Sequence, residues 1–306
     1  MKVSVIATVK NETESILPFL NSLLNQTKKP DEIIIVDGGS TDGTIEKIKK
    51  LAKKHKAIKL IVKKGANIAQ GRNIAMENAN GEVIAITDAG CIVDKNWLRN
   101  ITKCFPKCDV VAGAYKPYYR NDFEYFQGLI VSPNVERIKK EGNMSSRSLA
   151  LKKKWWKKVG GYPEDTYTGE DTLFNIKLKR AGAKFGYAKD AIVYWKMRPT
   201  WKSFAKQFYL YGYGDGKTGN IFKMPANALF FIGSTLIGIL TMHSIIRNTP
   251  LWKWILLITV TILLYKSFQV TIISKNPKGL VYGPSLYILK RISYIVGVIF
   301  GLIKVS

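Results

Sequence analysis

Apolar and polar positions along residues 3–116 alternate between two periods. Short runs rich in valine and isoleucine occupy residues 3–9, 32–36, 58–62, 83–87 and 109–115. Between these runs, apolar residues recur at helical spacing in residues 16–24, 44–51, 68–79 and 94–105. Strands that alternate with helices of this length are typical of a sheet whose faces are both covered by helices. The pattern therefore predicts an α/β domain with a mostly parallel sheet.

Two aspartates follow strands of this predicted sheet. Asp37 precedes Gly38-Gly39, and Asp88 precedes Ala89-Gly90. Because ligands of such sheets bind at the carboxyl ends of strands, we expect both carboxylates to face one ligand. Asp37 can bind ribose hydroxyls or a base N–H, and Asp88 can hold a divalent cation against a diphosphate. The plainer interpretation is that both are turn residues, with Asp42 capping the next helix.

A second pair of carboxylates, Glu170-Asp171, opens a predicted helix. A carboxylate there can accept a proton from a hydroxyl during group transfer. Acidic residues also favour helix N-termini through the helix dipole, which is a purely structural explanation. Arg147 can meet phosphate charge or lie on the surface as an ordinary cation.

The last part of the chain has a different character. Residues 216–306 contain no Asp or Glu, and apolar stretches occupy residues 226–246, 251–273 and 284–303. About 20 apolar residues span a bilayer core of about 30 Å. We therefore predict a catalytic domain over residues 1–222 and membrane helices over 223–306, with one to three spans. The third stretch contains Lys290-Arg291 and can instead lie in the interface as an amphipathic helix.

The formal net charge is +26, from 48 Lys and Arg against 22 Asp and Glu. Such a charge suggests a polyanionic partner, and the plainer interpretation is that lysines cover a solvated surface. Lysine predominates and no nucleic-acid-binding signature occurs, so we expect a membrane surface and no nucleic acid. The three cysteines are too few for a disulfide framework and are expected to be free thiols. The amino terminus reads as a buried strand and not as a signal peptide.

Seven short blocks, taken in order and at their spacing, resemble the family 2 glycosyltransferases of the GT-A fold. The resemblance covers roughly residues 1–220 and is highly specific for the fold. The blocks are VSVIAT at residues 3–8, NE at 11–12, IVDGGSTDGT at 35–44, GRN at 71–73, TDAG at 87–90, VGGYPE at 159–164 and GEDTLF at 169–174.

The resemblance implies an inverting transfer of a sugar from a UDP- or GDP-sugar. It implies that Asp171, in the ED motif with Glu170, is the catalytic base, and that Asp88 is the first carboxylate of a DxD motif that binds Mg²⁺ or Mn²⁺. The other implied nucleotide-site residues are Thr8, Asn11 and Glu12 near the nucleotide, Asp37 at the base or ribose, and Arg72 near the diphosphate.

One position departs from the family pattern. Gly90 stands where DxD has its second carboxylate, so one metal-binding oxygen is missing. Asp94 can compensate, the cation can be held by Asp88 and the diphosphate alone, or Lys and Arg can replace it. A catalytically silent membrane scaffold and another nucleotide-binding enzyme are the alternative hypotheses.

The apolar tail suits a membrane-associated acceptor, such as a polyprenyl phosphate or a lipid-linked glycan. Nucleotide sugars are made in the cytoplasm, so we expect a multi-pass cell-membrane protein whose catalytic domain is cytoplasmic. A hairpin of two spans would return Lys275 and Lys278 to that side, in agreement with the positive-inside tendency.

Overall fold

The computed structural model describes residues 1–132, 144–166, 168–219 and 225–303, without the side chains of residues 225–231, 234 and 235. The chain forms two compact units. Unit 1 contains Met1–Tyr118 and Ser132–Lys196, and unit 2 contains Tyr119–Val131 and Met197–Ser306. The predicted domain boundary at residue 222 lies outside the described residues.

Unit 1 is built on a sheet of eight strands in the order β3-β2-β1-β4-β7-β6-β8-β5. Strands β1 to β4 are paired in parallel, whereas β7 runs antiparallel to both β4 and β6. The strands are β1 (Val3–Val9), β2 (Glu32–Asp37), β3 (Ile58–Val62), β4 (Val83–Ile86), β5 (Cys91–Val93), β6 (Val110–Tyr118), β7 (Leu149–Lys152) and β8 (Phe185–Lys196).

The α helices fall into two groups. Those of unit 1 alternate with its strands, and α5 and α8 to α11 belong to unit 2. The helices are α1 (Ile16–Leu24), α2 (Thr44–Lys54), α3 (Ile68–Asn78), α4 (Trp97–Thr102), α5 (Asp122–Val131), α6 (Lys153–Lys158), α7 (Glu170–Arg180), α8 (Trp201–Lys217), α9 (Pro225–Ile246), α10 (Leu251–Ser274) and α11 (Gly279–Ile303).

The predicted α/β fold class is confirmed. The burial of the central strands explains why the sequence pattern predicts this fold. Ile33, Ile34 and Ile35 in β2 are all fully buried, although successive side chains of a strand point to opposite faces. Burial on both faces is typical of parallel strands between two helical layers. The core therefore lies on both sides of β1, β2 and β4.

The segment after Asp88 differs from its prediction. The helix expected over 94–105 is confined to α4, because Asp94 Oδ1 accepts the N–H of Asn96 in a turn. Residues ahead of it form β5, which pairs antiparallel with β8. A strand of three residues is too short for a period to be seen in the sequence.

Unit 2 is held together by close approach of α8 to α11. A Cβ at Gly212 would lie 2.0 Å from the carbonyl oxygen of Tyr294, and one at Gly297 would lie 2.1 Å from that of Tyr209. Only glycine permits such contact between backbones. Phe126 of α5 and Phe204 of α8 are fully buried in the same unit. Gly212 and Gly297 therefore serve helix packing.

Two helices of unit 2, α10 and α11, are long and apolar enough to cross a membrane, each with a mean hydropathy of 1.8. Lys266 of α10 is half-buried and donates to Gln269 Oε1 at 3.3 Å. In α9, the apolar part within the described side chains is Leu236–Ile246. Two of the three predicted stretches are thus candidate spans.

Candidate active site

Arg72 on α3 lies among three carboxylates. Its Nη1 donates to Glu170 Oε1 at 2.7 Å and to Asp171 Oδ1 at 2.6 Å. Its Nη2 donates to Asp88 Oδ1 at 3.0 Å. The Arg72 side chain is only 4% exposed, so these contacts form away from bulk water. One planar guanidinium thus fixes acidic side chains from two distant parts of the sequence.

Residues on either side of Arg72 explain its position. A Cβ at Gly71 would lie 2.7 Å from Thr8 Cγ2, so glycine lets α3 pack directly on β1. Asn73 Nδ2 donates to the carbonyl of Tyr162 at 2.9 Å and to Glu164 Oε1 at 2.8 Å. The GRN block therefore packs on β1 through Gly71 and is hydrogen-bonded to the VGGYPE turn through Asn73.

The turn that follows α6 also holds Asn73 and Arg72 in place. Gly161 has φ +72°, and a Cβ there would lie 2.7 Å from Asn73 Oδ1. Tyr162 stacks on Phe174 with ring centroids 3.9 Å apart, and the guanidinium of Arg72 lies 5.3 Å from the centroid of the Tyr162 ring. The ring thus covers the buried cation.

Glu170 and Asp171 begin α7 but differ in environment. The Glu170 side chain is 9% exposed and that of Asp171 is 24% exposed. Asp171 Oδ2 also accepts the backbone N–H of Ser146 at 3.0 Å. Asp171 is consequently the member of the pair that solvent and a substrate can reach.

The same difference separates their acidities. Burial, with the neighbouring charge of Asp171, raises the pKa of Glu170 from 4.5 to about 7. Burial also tends to raise the pKa of Asp171, but Arg72 and the N–H of Ser146 outweigh it and hold that pKa below its ordinary value. Two adjacent carboxyls with pKa values moved apart are typical of a site that handles protons.

Asp88 lies at the open side of the cluster, with its side chain 32% exposed. Arg147 Nε is 3.9 Å from Asp88 Oδ2. The guanidinium of Arg147 stacks 4.1 Å from the ring centroid of Trp195, which fixes its plane. Arg147 is therefore the arginine of this cluster that can meet an anion such as a diphosphate, because Arg72 is buried and already paired with three carboxylates.

The carboxylates available for a metal ion are few. No group of three or more His, Cys, Asp or Glu that could hold one occurs in the part of the chain that the structure describes. Asp94 uses its Oδ1 in its own turn, which does not favour the predicted compensation for Gly90. Mg²⁺ is commonly held by one or two carboxylates together with substrate phosphates. Asp88 fits that mode as a single protein ligand.

Asp37 is fully buried at the end of β2. Its Oδ1 accepts the N–H groups of Gly39 and Ser40 at 2.8 and 2.7 Å, and its Oδ2 accepts the Ser40 hydroxyl at 2.7 Å. The carboxylate thereby shapes the glycine-rich loop from within. Its predicted contact with base or ribose stays a prediction.

Asn11 and Glu12 tie the loop after β1 to this glycine-rich loop. The N–H of Asn11 donates to Ser40 Oγ at 2.8 Å, and Asn11 Oδ1 accepts the N–H of Thr41 at 3.0 Å. The N–H of Glu12 donates to Thr44 Oγ1 at 2.9 Å. Asn11 adopts φ 55°, a conformation that asparagine tolerates better than most residues. The two loops form one connected surface at the carboxyl ends of β1 and β2.

The predicted site residues thus fall into two groups, and no hydrogen bond joins the groups among the residues described. Sequence reasoning missed Ser146 and Trp195, whose contributions depend on a backbone N–H and a ring face that leave no periodic signal. Asn73 belonged to the GRN block but was given no role of its own. The first group is Arg72, Asp88, Arg147, Glu170 and Asp171, and the second is Thr8, Asn11, Glu12 and Asp37.

Comparison with known protein sequences finds a matching family and several relatives. Residues 4–168 match the family described as Glycosyl transferase family 2. Glycosyltransferase AglE of Haloferax volcanii is 28% identical over 216 residues, covering 67% of this chain and 70% of the relative. A Methanococcus voltae protein, dolichyl N-acetyl-alpha-D-glucosaminyl phosphate 3-beta-D-2,3-diacetamido-2,3-dideoxy-beta-D-glucuronosyltransferase, is 28% identical over 233 residues, covering 70% of this chain and 73% of the relative.

Comparison with solved structures shows that the similarity in fold extends over nearly the whole chain. Mannosyltransferase PcManGT from Pyrobaculum calidifontis, in complex with GDP-Man and Mn²⁺, aligns with a TM-score of 0.67 and 18% identity. The alignment covers 96% of this chain and 87% of that one. At this identity the comparison supports the fold, including its helical part.

Glu170→Gln is expected to flatten the dependence of stability on pH. The folded state holds the Glu170 proton more strongly than the unfolded state, so the free energy of unfolding falls as pH rises from 4.5 to about 7. Glutamine still accepts from Arg72 but cannot ionise. Thermal unfolding at about pH 5 and about pH 8 should show the variant gaining on the wild type at the higher pH.

The matched control is Glu77→Gln, which changes an exposed carboxylate on α3. It should follow the wild type at both pH values. A wild-type-minus-variant difference for Glu170→Gln that is the same at both pH values would contradict the assignment of a raised pKa to Glu170.

Proposed function

The chain belongs to glycosyl transferase family 2 and is a glycosyltransferase of the GT-A fold, and on this premise we propose an inverting transfer from a nucleoside-diphosphate sugar to a membrane-associated acceptor. The observation that carries the proposal is the pairing of an accessible, ionised Asp171 with the guanidinium of Arg147 beside Asp88. Transfer to a hydroxyl needs both a base and a means to stabilise the leaving diphosphate.

In the proposed reaction, Asp171 accepts the proton of the acceptor hydroxyl as its oxygen attacks the anomeric carbon. The bond from that carbon to the diphosphate oxygen breaks, and the nucleoside diphosphate leaves with the electron pair. A single displacement inverts the anomeric configuration. The lowered pKa of Asp171 keeps it ionised at neutral pH, so it is ready to receive the proton.

Arg72 and Glu170 fix the orientation of Asp171 through hydrogen bonds. Arg72 holds Asp171 Oδ1 at 2.6 Å, and Ser146 holds Oδ2 at 3.0 Å, so the carboxylate plane is fixed before the acceptor arrives. Glu170 fixes the guanidinium in turn, at 2.7 Å. We assign Arg72 to positioning, and its predicted approach to the diphosphate stays a prediction.

On the donor side, Arg147 is the residue whose guanidinium, 19% exposed and stacked on Trp195, is best disposed to meet phosphate oxygens. A bound Mg²⁺ or Mn²⁺, held by Asp88 and the diphosphate, would supply further neutralisation of the leaving group. The loops that carry Thr8, Asn11, Glu12 and Asp37 are proposed to shape the nucleotide pocket. The donor is proposed to be a UDP- or GDP-sugar.

A lipid-linked acceptor is supported by the name of the Methanococcus voltae relative, which specifies a dolichyl-linked sugar phosphate. The apolar α10 and α11 are consistent with attachment to the membrane where such an acceptor resides. A cytoplasmic catalytic domain follows from the site of nucleotide-sugar synthesis. The multi-pass arrangement stays a prediction.

Asp171→Asn tests the proposed base. The variant keeps the size of the side chain and one oxygen, which can accept from Arg72 or from Ser146 but not from both. It loses the proton acceptor, so transfer should fall by at least about 100-fold. The assay measures nucleoside diphosphate released from a panel of UDP- and GDP-sugars by purified protein with membrane lipid extract. Asp165→Asn, an exposed change in the turn before α7, is the matched control and should retain activity.

Two outcomes would contradict the proposal. Wild-type-like transfer by Asp171→Asn would remove Asp171 as the base. No release of any nucleoside diphosphate by folded wild-type protein, together with no nucleotide-sugar binding, would favour the silent-scaffold alternative.

Gly90→Asp tests the role of the divalent cation. A Cβ at Gly90 meets nothing within 4 Å, so a side chain can begin there without a clash with a neighbour. The Mn²⁺ concentration needed for half-maximal binding of the nucleotide sugar should fall by about tenfold, since a cation gains a charged ligand. Gly90→Ala is the control, and equal behaviour of the two variants would show that no cation binds beside Asp88.

A further inference from the structure

A cavity of about 1100 Å³ lies in unit 1, at the edge of the sheet where β1 and β4 begin. Met1 and Val83 line it beside the starts of these strands, and Lys152 lines it at the end of the antiparallel β7. The strand β4 starts here at Val83 and ends before Asp88. The cavity and the Arg72 cluster are therefore at opposite ends of β4. Each residue of an extended strand adds about 3.3 Å to the distance between them.

The lining of this cavity is strongly cationic. Of its fifteen lining residues, seven are Lys or Arg, and Glu82 is the one carboxylate. Three of the seven cations are engaged within the fold. Lys152 pairs with Asp109 at 3.0 Å, Lys153 donates to the carbonyl of Ala79 at 2.6 Å, and Lys28 donates to Thr102 Oγ1 at 3.0 Å.

The other four cations are Arg99 and Lys103, from α4 and its C-terminal end, and Lys154 and Lys157, from α6. Within the described ranges these four form no ion pair, and all are exposed. Burial lowers the pKa of Lys153, and repulsion by the neighbouring Lys157 lowers it further. An anion would relieve this repulsion.

The cavity is apolar beneath its charged rim. Phe105 and Val83 are buried in its lining, with Pro106 and Met1 beside them. Its volume slightly exceeds the range of about 300–1000 Å³ that is typical of small-molecule sites, and a lone phosphate would leave most of it empty. A ligand that matches both features carries an anionic head and a hydrocarbon body.

We propose that this cavity binds a lipid bearing a phosphate group, with the phosphate on Arg99, Lys103, Lys154 and Lys157 and the hydrocarbon against Phe105 and Val83. Lysine suits such a role because its ammonium contacts phosphate as a point charge, without the fixed geometry of arginine. This lipid is distinct from the sugar acceptor, because it binds at the end of β4 remote from Asp171.

Binding of short-chain lipids to the full-length protein in a neutral detergent tests the proposal. The probes are dioctanoyl phosphatidic acid and farnesyl phosphate, which separate a phospholipid from an isoprenoid source. Dioctanoyl phosphatidylcholine and inorganic phosphate are the comparison ligands. Native mass spectrometry counts bound molecules, and isothermal titration gives the dissociation constant.

The test variant replaces Arg99, Lys103, Lys154 and Lys157 by glutamine. The control variant makes the same replacement at four exposed lysines of α2, Lys49, Lys50, Lys53 and Lys54. It therefore removes the same amount of positive charge as the cavity variant. The cavity variant should lose one bound phosphate lipid and bind it at least about tenfold more weakly, as expected when charge-assisted hydrogen bonds are lost. The control should stay within about twofold of wild type.

Paired variants, Arg99→Gln with Lys103→Gln and Lys154→Gln with Lys157→Gln, should each give an intermediate loss, which excludes misfolding of the fourfold variant as the cause. Equal weakening in the cavity and α2 variants, or inorganic phosphate binding as tightly as the phosphate lipids, would overturn the proposal. So would unchanged lipid binding by the cavity variant. The binding measurement involves no sugar transfer, so its outcome is independent of the proposed reaction.

Discussion

The candidate active site depends on one buried cation. Arg72 is almost inaccessible to water, and an unpaired guanidinium there would be strongly destabilising because burial of an uncompensated charge is costly. Glu170, Asp171 and Asp88 supply the compensation. The same contacts give each carboxylate its property, because Asp171 becomes easier to ionise while the more buried Glu170 retains its proton to higher pH.

This dependence explains why short blocks far apart in the sequence form one unit. Gly71 permits α3 to lie against Thr8, and Asn73 binds the turn that presents Tyr162 over Arg72. Removing any of these supports would leave a buried charge without its partners. The cation therefore couples the packing of α3, the VGGYPE turn and α7 to the chemistry of Asp171.

Much of the sheet could be predicted from the sequence, because continuous apolar runs such as β2 and the helical spacing of α1 are local signals. The meeting of Asp88 with Asp171 was accessible only through the family resemblance. Contacts that use a backbone N–H, as from Ser146, or a ring face, as from Trp195, have no signature in residue order. The antiparallel β7 and the basic cavity at the other sheet edge likewise arise from tertiary pairing.

The pH dependence of sugar transfer by Arg72→Lys tests the central claim most directly. Lysine keeps the charge but cannot hold Asp171, Glu170 and Asp88 together, so the pKa of Asp171 should rise and the acidic limb of the rate profile should move to higher pH. Arg180→Lys, an exposed change on α7, should leave the limb where the wild type has it. An acidic limb shared by wild type and Arg72→Lys would contradict the claim that Arg72 sets the state of the base.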